Sequence, residues 1–228
     1  MGSKQISIYR CEVFPLNAVY NTAEVPNHDF AISKIIYKTR SFWDFHFIWN
    51  EERRIVNIVS EQGEIGETIF VVKREAFVRF YFTTGIIISY GLGRKISAFA
   101  EYILQLTHQS ISPQKAQLKI TSLLNKYSKI STLLPTLQKI RVSNIAIESI
   151  PCAKVDIEEC SISELETFLL NTNAIIEKLT VFFSNGEYPA IKLSSLGRIA
   201  IVTASEWEWD AAISFLQKFL NESNIMEK

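Results

Sequence analysis

The sequence carries one succession of local signals twice, and the two successions keep step. Gly85 and Gly197, each set beside an apolar run, lie 112 residues apart. Asn50 and Ser161, each suited to cap a helix, lie 111 apart, and the strand centres Lys34 and Asn144 lie 110 apart. Both halves read as strand, strand, helix, three strands, helix. Internal duplication accounts for that shared offset more simply than chance alternation does. A chain of 228 residues that is 47% hydrophobic can bury one good core or two small ones. The expected fold class is therefore α+β.

The second half is the cleaner. Residues 141–148 (RVSNIAIE) are apolar and rich in β-branched side chains, which predicts a strand. Pro151 interrupts it, and extended structure resumes over 153–157. Ser161, followed three residues later by Glu164, forms a capping box, predicting a helix to about Leu170. Strands are expected at 177–184, 188–194 and 198–203, with Asn185-Gly186 as a tight turn. A second capping box, Ser205 with Glu208, opens a last helix through Leu220. Trp207 and Trp209, two residues apart at its start, cannot share a face.

In the first half, strands are expected at 30–37, 42–49, 67–73, 77–82 and 86–90, with a helix from about Lys95 to His108. Asn50 is expected to cap a helix whose first turn holds Glu51 and Glu52 and whose apolar face holds Ile55, Ile58 and Val59. Trp43, Phe45, Phe47 and Trp49 alternate at period 2 and share one strand face, as core residues do.

Several function classes find no support. No apolar run is long enough to span a membrane. Lys4 and Arg10 flank too few apolar residues for a secretory signal. Cys11, Cys152 and Cys160 are odd in number and widely spaced, unlike a disulfide framework or a metal knuckle. That usage suits a reducing compartment, cytoplasm or nucleus. His28, His46 and His108 lie far apart, and 8 glycines form no phosphate-cradling loop. Asp44 and His46 share a strand face, but no nucleophile accompanies them. No metal, cofactor, small-molecule substrate or catalysis is expected.

Charge is unevenly spread. The chain is neutral overall, yet no acidic residue occurs between Glu101 and Glu148. Ser112 and Pro113 suit a helix start and Pro135 a stop, which predicts a linker helix. At about 100° per residue, Lys115, Lys119, Lys126 and Lys129 then form one stripe. Such a stripe is either a solvated face or a surface for phosphate or an acidic partner. An acidic shoulder (Asp156, Glu158, Glu159, Glu164, Glu166) follows.

Some short segments resemble the repeat of the TATA-box-binding protein family. Ser143-Asn144-Ile145-Ala146 resembles its Gln-Asn-Ile-Val opening, and residues 195–204 (SLGRIAIVTA) resemble its closing turn, strand and helix entry. Phe80-Tyr81-Phe82-Thr83-Thr84-Gly85-Ile86 is similar to the same strand, turn and strand in the first half. The resemblance implies two tandem repeats, 30–108 and 140–220, forming a curved antiparallel sheet with helices on its convex face. Around them would lie an N-terminal extension (1–29), a basic linker helix (109–139) and a tail (221–228). It further implies a sheet seated on the minor groove of duplex DNA, with Asn144 donating to bases, Phe80 or Phe82 wedging between steps, and Thr203 lining the groove. Lys34 stands at the first half's Asn position, and Lys192 or Leu193 where the second wedge belongs. The family's Phe-Pro-Gly segment is absent. The expectation is a diverged, non-catalytic relative binding DNA or a transcription or chromatin protein. The alternative is a protein-interaction module that keeps the saddle without DNA.

Overall fold

A computed structural model describes residues 2–12, 29–58, 65–120, 135–147, 150–183, 190–203, 209–210, 212–214 and 216. The fold is α+β, with antiparallel sheet dominant and helices few. The chain divides into two compact units, one of Met1–Cys11 with Gln114–Lys228, the other of Glu12–Pro113. The N-terminal residues expected as an extension thus form a strand, β1 (Gly2–Arg10), belonging with the second half.

The unit of Glu12–Pro113 is a meander. Strands β2 (Ile32–Lys38), β3 (Phe42–Ile58), β4 (Ile65–Tyr81) and β5 (Ile86–Tyr90) pair antiparallel in chain order. Helix α1 (Ile96–Thr107) follows and ends at His108 in the left-handed region. Alternation along β3 turns Trp43, Phe45, Phe47 and Trp49 to one side, all buried. Phe80 and Val78 of β4 pair with Trp43 and Phe45 and so share that side. Phe99 and Tyr102 of α1 meet it edge-on, with Phe99 5.5 Å from the Phe45 ring and Tyr102 5.3 Å from the Phe47 ring. Each such side chain, taken from water, contributes roughly 1.5–3 kcal/mol.

The helix expected after Asn50 does not form. Strand β3 runs straight through it, paired residue for residue with β4 from Phe42↔Tyr81 to Ile58↔Ile65. The β-branched Ile55, Val56, Ile69, Val71 and Val72 favour this pairing, and 17 consecutive cross-strand pairs outweigh one capping residue. The strands expected at 67–73 and 77–82 are likewise one strand.

The other unit closes around β1. Its strands are β6 (Gln114–Lys115), β7 (Pro135–Ile147), β8 (Ile150–Cys160), β9 (Ile175–Phe183), β10 (Ala190–Ser194) and β11 (Arg198–Thr203). They lie in the order β1-β11-β10-β9-β7-β8, with β6 paired to the end of β1. Pro151 sits inside β8 rather than ending a strand. Helix α2 (Ile162–Thr172) starts at Ser161 with the full capping box and ends on Asn173 in the left-handed region. The second capping box and the 185–186 turn lie outside the described residues. The described part of the last helix buries Trp209, Ala212, Ile213 and Leu216.

The two units differ in strand order. In the meander, β3 lies between β2 and β4, whereas β7 lies between β8 and β9. The recurrent spacing of landmarks therefore does not produce two copies of one sheet. Continuous hairpin pairing in the first half takes the place that α2 occupies in the second.

The linker departs from expectation as well. Gln114 and Lys115 are strand, and residues 116–119 are neither strand nor helix. The Ala116 N–H donates to the Ile8 carbonyl at 3.0 Å and the Leu118 N–H to the Ser195 carbonyl at 2.9 Å. Buried Ala116, Leu118 and Ile120 hold the segment down. Gly197 permits this approach: at φ +67°, a Cβ there would lie 2.5 Å from the Ala116 carbonyl oxygen and 2.7 Å from that of Ile8.

Candidate nucleic-acid interface

In the unit containing β1, strand alternation separates an apolar side from a charged one. Ile6, Ile199, Ile201, Ile191, Leu193, Leu179 and Val181 are buried together on one side. Facing the other way, one cross-strand row joins Ser7, Arg198, Ser194, Lys178, Arg141 and Asp156. The next joins Gln5, Ala200, Lys192, Thr180, Lys139 and Glu158. Phe182 stands on the same side, opposite Ala190, and is 36% exposed.

The cations toward β8 are already paired. Arg141 donates to both oxygens of Asp156 at 2.8 Å, Lys154 donates to Glu177 at 2.8 Å, and Lys139 lies 3.7 Å from Glu158. The Arg141 hydrogen bonds hold the Asp156 carboxyl below its ordinary value, and the Lys154 hydrogen bond does the same for Glu177. Lys178, Lys192 and Arg198 are exposed and form no salt bridge among the described residues, although the charge of Lys178 also acts on Asp156. Six cations (Lys139, Arg141, Lys154, Lys178, Lys192, Arg198) thus meet three carboxylates (Asp156, Glu158, Glu177), with Glu159 also exposed on β8, and positive charge remains in excess. A polyanion would meet that excess without first breaking an ion pair.

Of the residues expected to bind nucleic acid, Lys192 lies on this face. Asn144 is exposed at a register shift between Val142 and Ile145, with φ +62°, so its motif forms a bulge instead of a plain strand. Thr203 ends β11 in register with Gly2. Lys34 belongs to the other unit, exposed on β2 opposite His46. Phe80 and Phe82 are core residues, each 0% exposed, with ring centres 4.7 Å apart. Neither can wedge into DNA without leaving the aromatic cluster. Lys115 lies in β6 and Lys119 in the irregular segment after it, so no helical stripe joins them, while Lys126 and Lys129 lie outside the described residues. Lys178, Phe182 and Arg198 were not anticipated, although the alternation Lys178-Leu179-Thr180-Val181-Phe182 carries the signal.

On the meander's side away from α1, Asp44 and Arg79 form a bidentate ion pair at 2.7 and 2.6 Å. The guanidinium carbon of Arg79 also lies 4.2 Å from the Phe42 ring centre. Burial works against the charge on Arg79, and the bonds to Asp44 more than offset it, leaving its pKa above the ordinary value. His46 stacks on Phe77 with ring centres 4.3 Å apart. Arg79 also hydrogen-bonds Tyr81, so its polar atoms are engaged within the sheet, which suits a structural clamp.

Among the described residues, no cluster of His, Cys, Asp and Glu could hold a metal ion, and no helix is long and apolar enough to cross a membrane. No protein-family model matches this chain, and no curated protein does.

Proposed function

We propose that this chain is a non-catalytic DNA-binding protein, of transcription or chromatin, that holds duplex DNA on the charged side of the β1-containing sheet. One observation carries the reading: Lys178, Lys192 and Arg198 stand exposed and outside any salt bridge on one sheet face, beside an exposed aromatic, Phe182. Phosphate contacts supply the bulk of such affinity, and an aromatic offers a stacking or wedging surface. The likeness of residues 195–204 to the TATA-box-binding-protein strand supports the DNA reading through this unit alone, because the meander's strand order differs. Sequence preference should be weak, favouring A·T pairs slightly.

Fluorescence anisotropy with a labelled duplex, followed across salt concentrations, tests this. Replacing Lys178, Lys192 and Arg198 by Gln should weaken binding and flatten the slope of log affinity against log salt by up to about 0.9 for each phosphate no longer neutralised. Phe182→Ala should weaken binding at every salt concentration with the slope unchanged. An absence of binding at low salt, or a triple variant that binds like the parent, would sink the reading. A second reading, a protein-interaction module, is favoured by a different observation: Ile69 and Val71 of β4 are 54% and 60% exposed.

A further inference from the structure

Strand β4 has a partner along its whole length on one side only. Strand β3 pairs with it from Ile65 to Tyr81, but β5 covers the opposite edge only from Phe77 onward. Gly91 lies against Glu75 and Ala76. Among the described residues, the edge from Ile65 to Arg74 pairs with nothing. Exposed edges of this kind are usually blunted by proline, a bulge or closely spaced charge. This one has no proline, keeps an unshifted register, and presents Ile69, Phe70 and Val71 in succession, all exposed.

The order of side chains along that edge names its occupant. When two identical strands pair antiparallel about a two-fold axis, facing residues lie on the same side of the sheet, so one residue must face its own copy. With Phe70 at the axis, Ile69 faces Val71, Thr68 faces Val72, and Glu67 faces Lys73. Two opposite-charge pairs then bracket an apolar centre. Shifting the axis to Val71 sets Glu67 against Glu75 and Ile69 against Lys73. Shifting it to Ile69 sets Glu67 against Val71. Only the register centred on Phe70 pairs its charges. Lys73 is exposed with no ion-pair partner among the described residues, and Glu67 lies 3.4 Å from Arg54 on the solvent side.

We propose that two copies of this chain join edge to edge through β4, in the register that centres Phe70 and pairs Glu67 with the partner's Lys73. Main-chain hydrogen bonds supply the attraction, and the two ion pairs choose the register. The proposal is independent of the DNA reading.

Sedimentation velocity of the full chain, without DNA, over a wide concentration range tests it. The parent should pass from monomer to dimer as concentration rises. Glu67→Lys alone creates facing lysines, Lys73→Glu alone creates facing glutamates, and each should weaken association by about tenfold. The two single variants mixed together should associate like the parent, because every Lys then faces a Glu. The double variant should also recover. These positions are exposed, so the fold should persist, and circular dichroism checks it. A parent that stays monomeric at all concentrations overturns the proposal and leaves the edge to a strand of another protein. Dimers indifferent to either swap, or a mixture no tighter than the single variants, overturn it equally.

Discussion

Asp44 and Arg79 carry full charges with side chains only 2% and 9% exposed. Desolvating two ions costs several kcal/mol each, which two parallel hydrogen bonds and the Phe42 ring offset. Removing one partner strands the other. Asp44→Ala should therefore cost about 3–5 kcal/mol in urea unfolding, whereas Asp44→Leu combined with Arg79→Met should recover most of that loss. A double variant as unstable as the worse single variant would mean that the charges themselves specify the fold. Local spacing suggested His46 as the neighbour of Asp44, because both lie on one face of β3. The real partner is 35 residues away, set by hairpin register, which period-2 spacing within one strand does not encode.

At the scale of elements, helix starts show what can be read locally and what cannot. The Ser161–Glu164 box is legible because it is self-contained: the Ser161 N–H donates to Glu164 at 2.7 Å and the Glu164 N–H to the Ser161 hydroxyl at 3.2 Å. Asn50 with Glu51 and Glu52 is an equally good local start, but Glu51 instead accepts from Arg74 of β4 at 2.6 Å. Capping signals settle a helix only where no partner strand competes for the same backbone. The charged sheet face was hidden for a related reason: Lys178, Lys192 and Arg198 come from three strands, and only the pairing of β9, β10 and β11 gathers them. The Ser161 backbone N–H, and then its hydroxyl, hold the Glu164 carboxyl below its ordinary value. Its contribution is thus complete above the unfolded carboxyl's pKa and is lost as pH falls through the lower, folded one. Ser161→Ala should lower the melting temperature by about 2–4 °C near neutral pH. In thermal melts followed downward from pH 7, the gap between parent and variant should narrow below the ordinary glutamate range. A gap that stays constant would show that the carboxylate takes no part.

Across the whole molecule, β1 is the far-travelled element. Ile6 and Ile8 are 0% exposed, and β1 pairs with β11 from Gly2↔Thr203 to Ser7↔Arg198. Deleting residues 2–10 would remove both isoleucines, each worth roughly 1.5–3 kcal/mol of burial, and bare the edge of β11. Hydrogen exchange should then show reduced protection in β9, β10 and β11, with α1 and the paired residues of β3 and β4 still protected. Uniform retention would contradict a unit closed by its first strand. The same pairing has a consequence in time. At roughly 5–20 residues per second of synthesis, β1 leaves the ribosome ~10–40 s before β11 exists to receive it. The meander, whose strands are neighbours in sequence, can form within that interval. The nine residues of β1, with two isoleucines bound for the core, wait through it without their partner, as the stretch of nascent chain most in need of a chaperone.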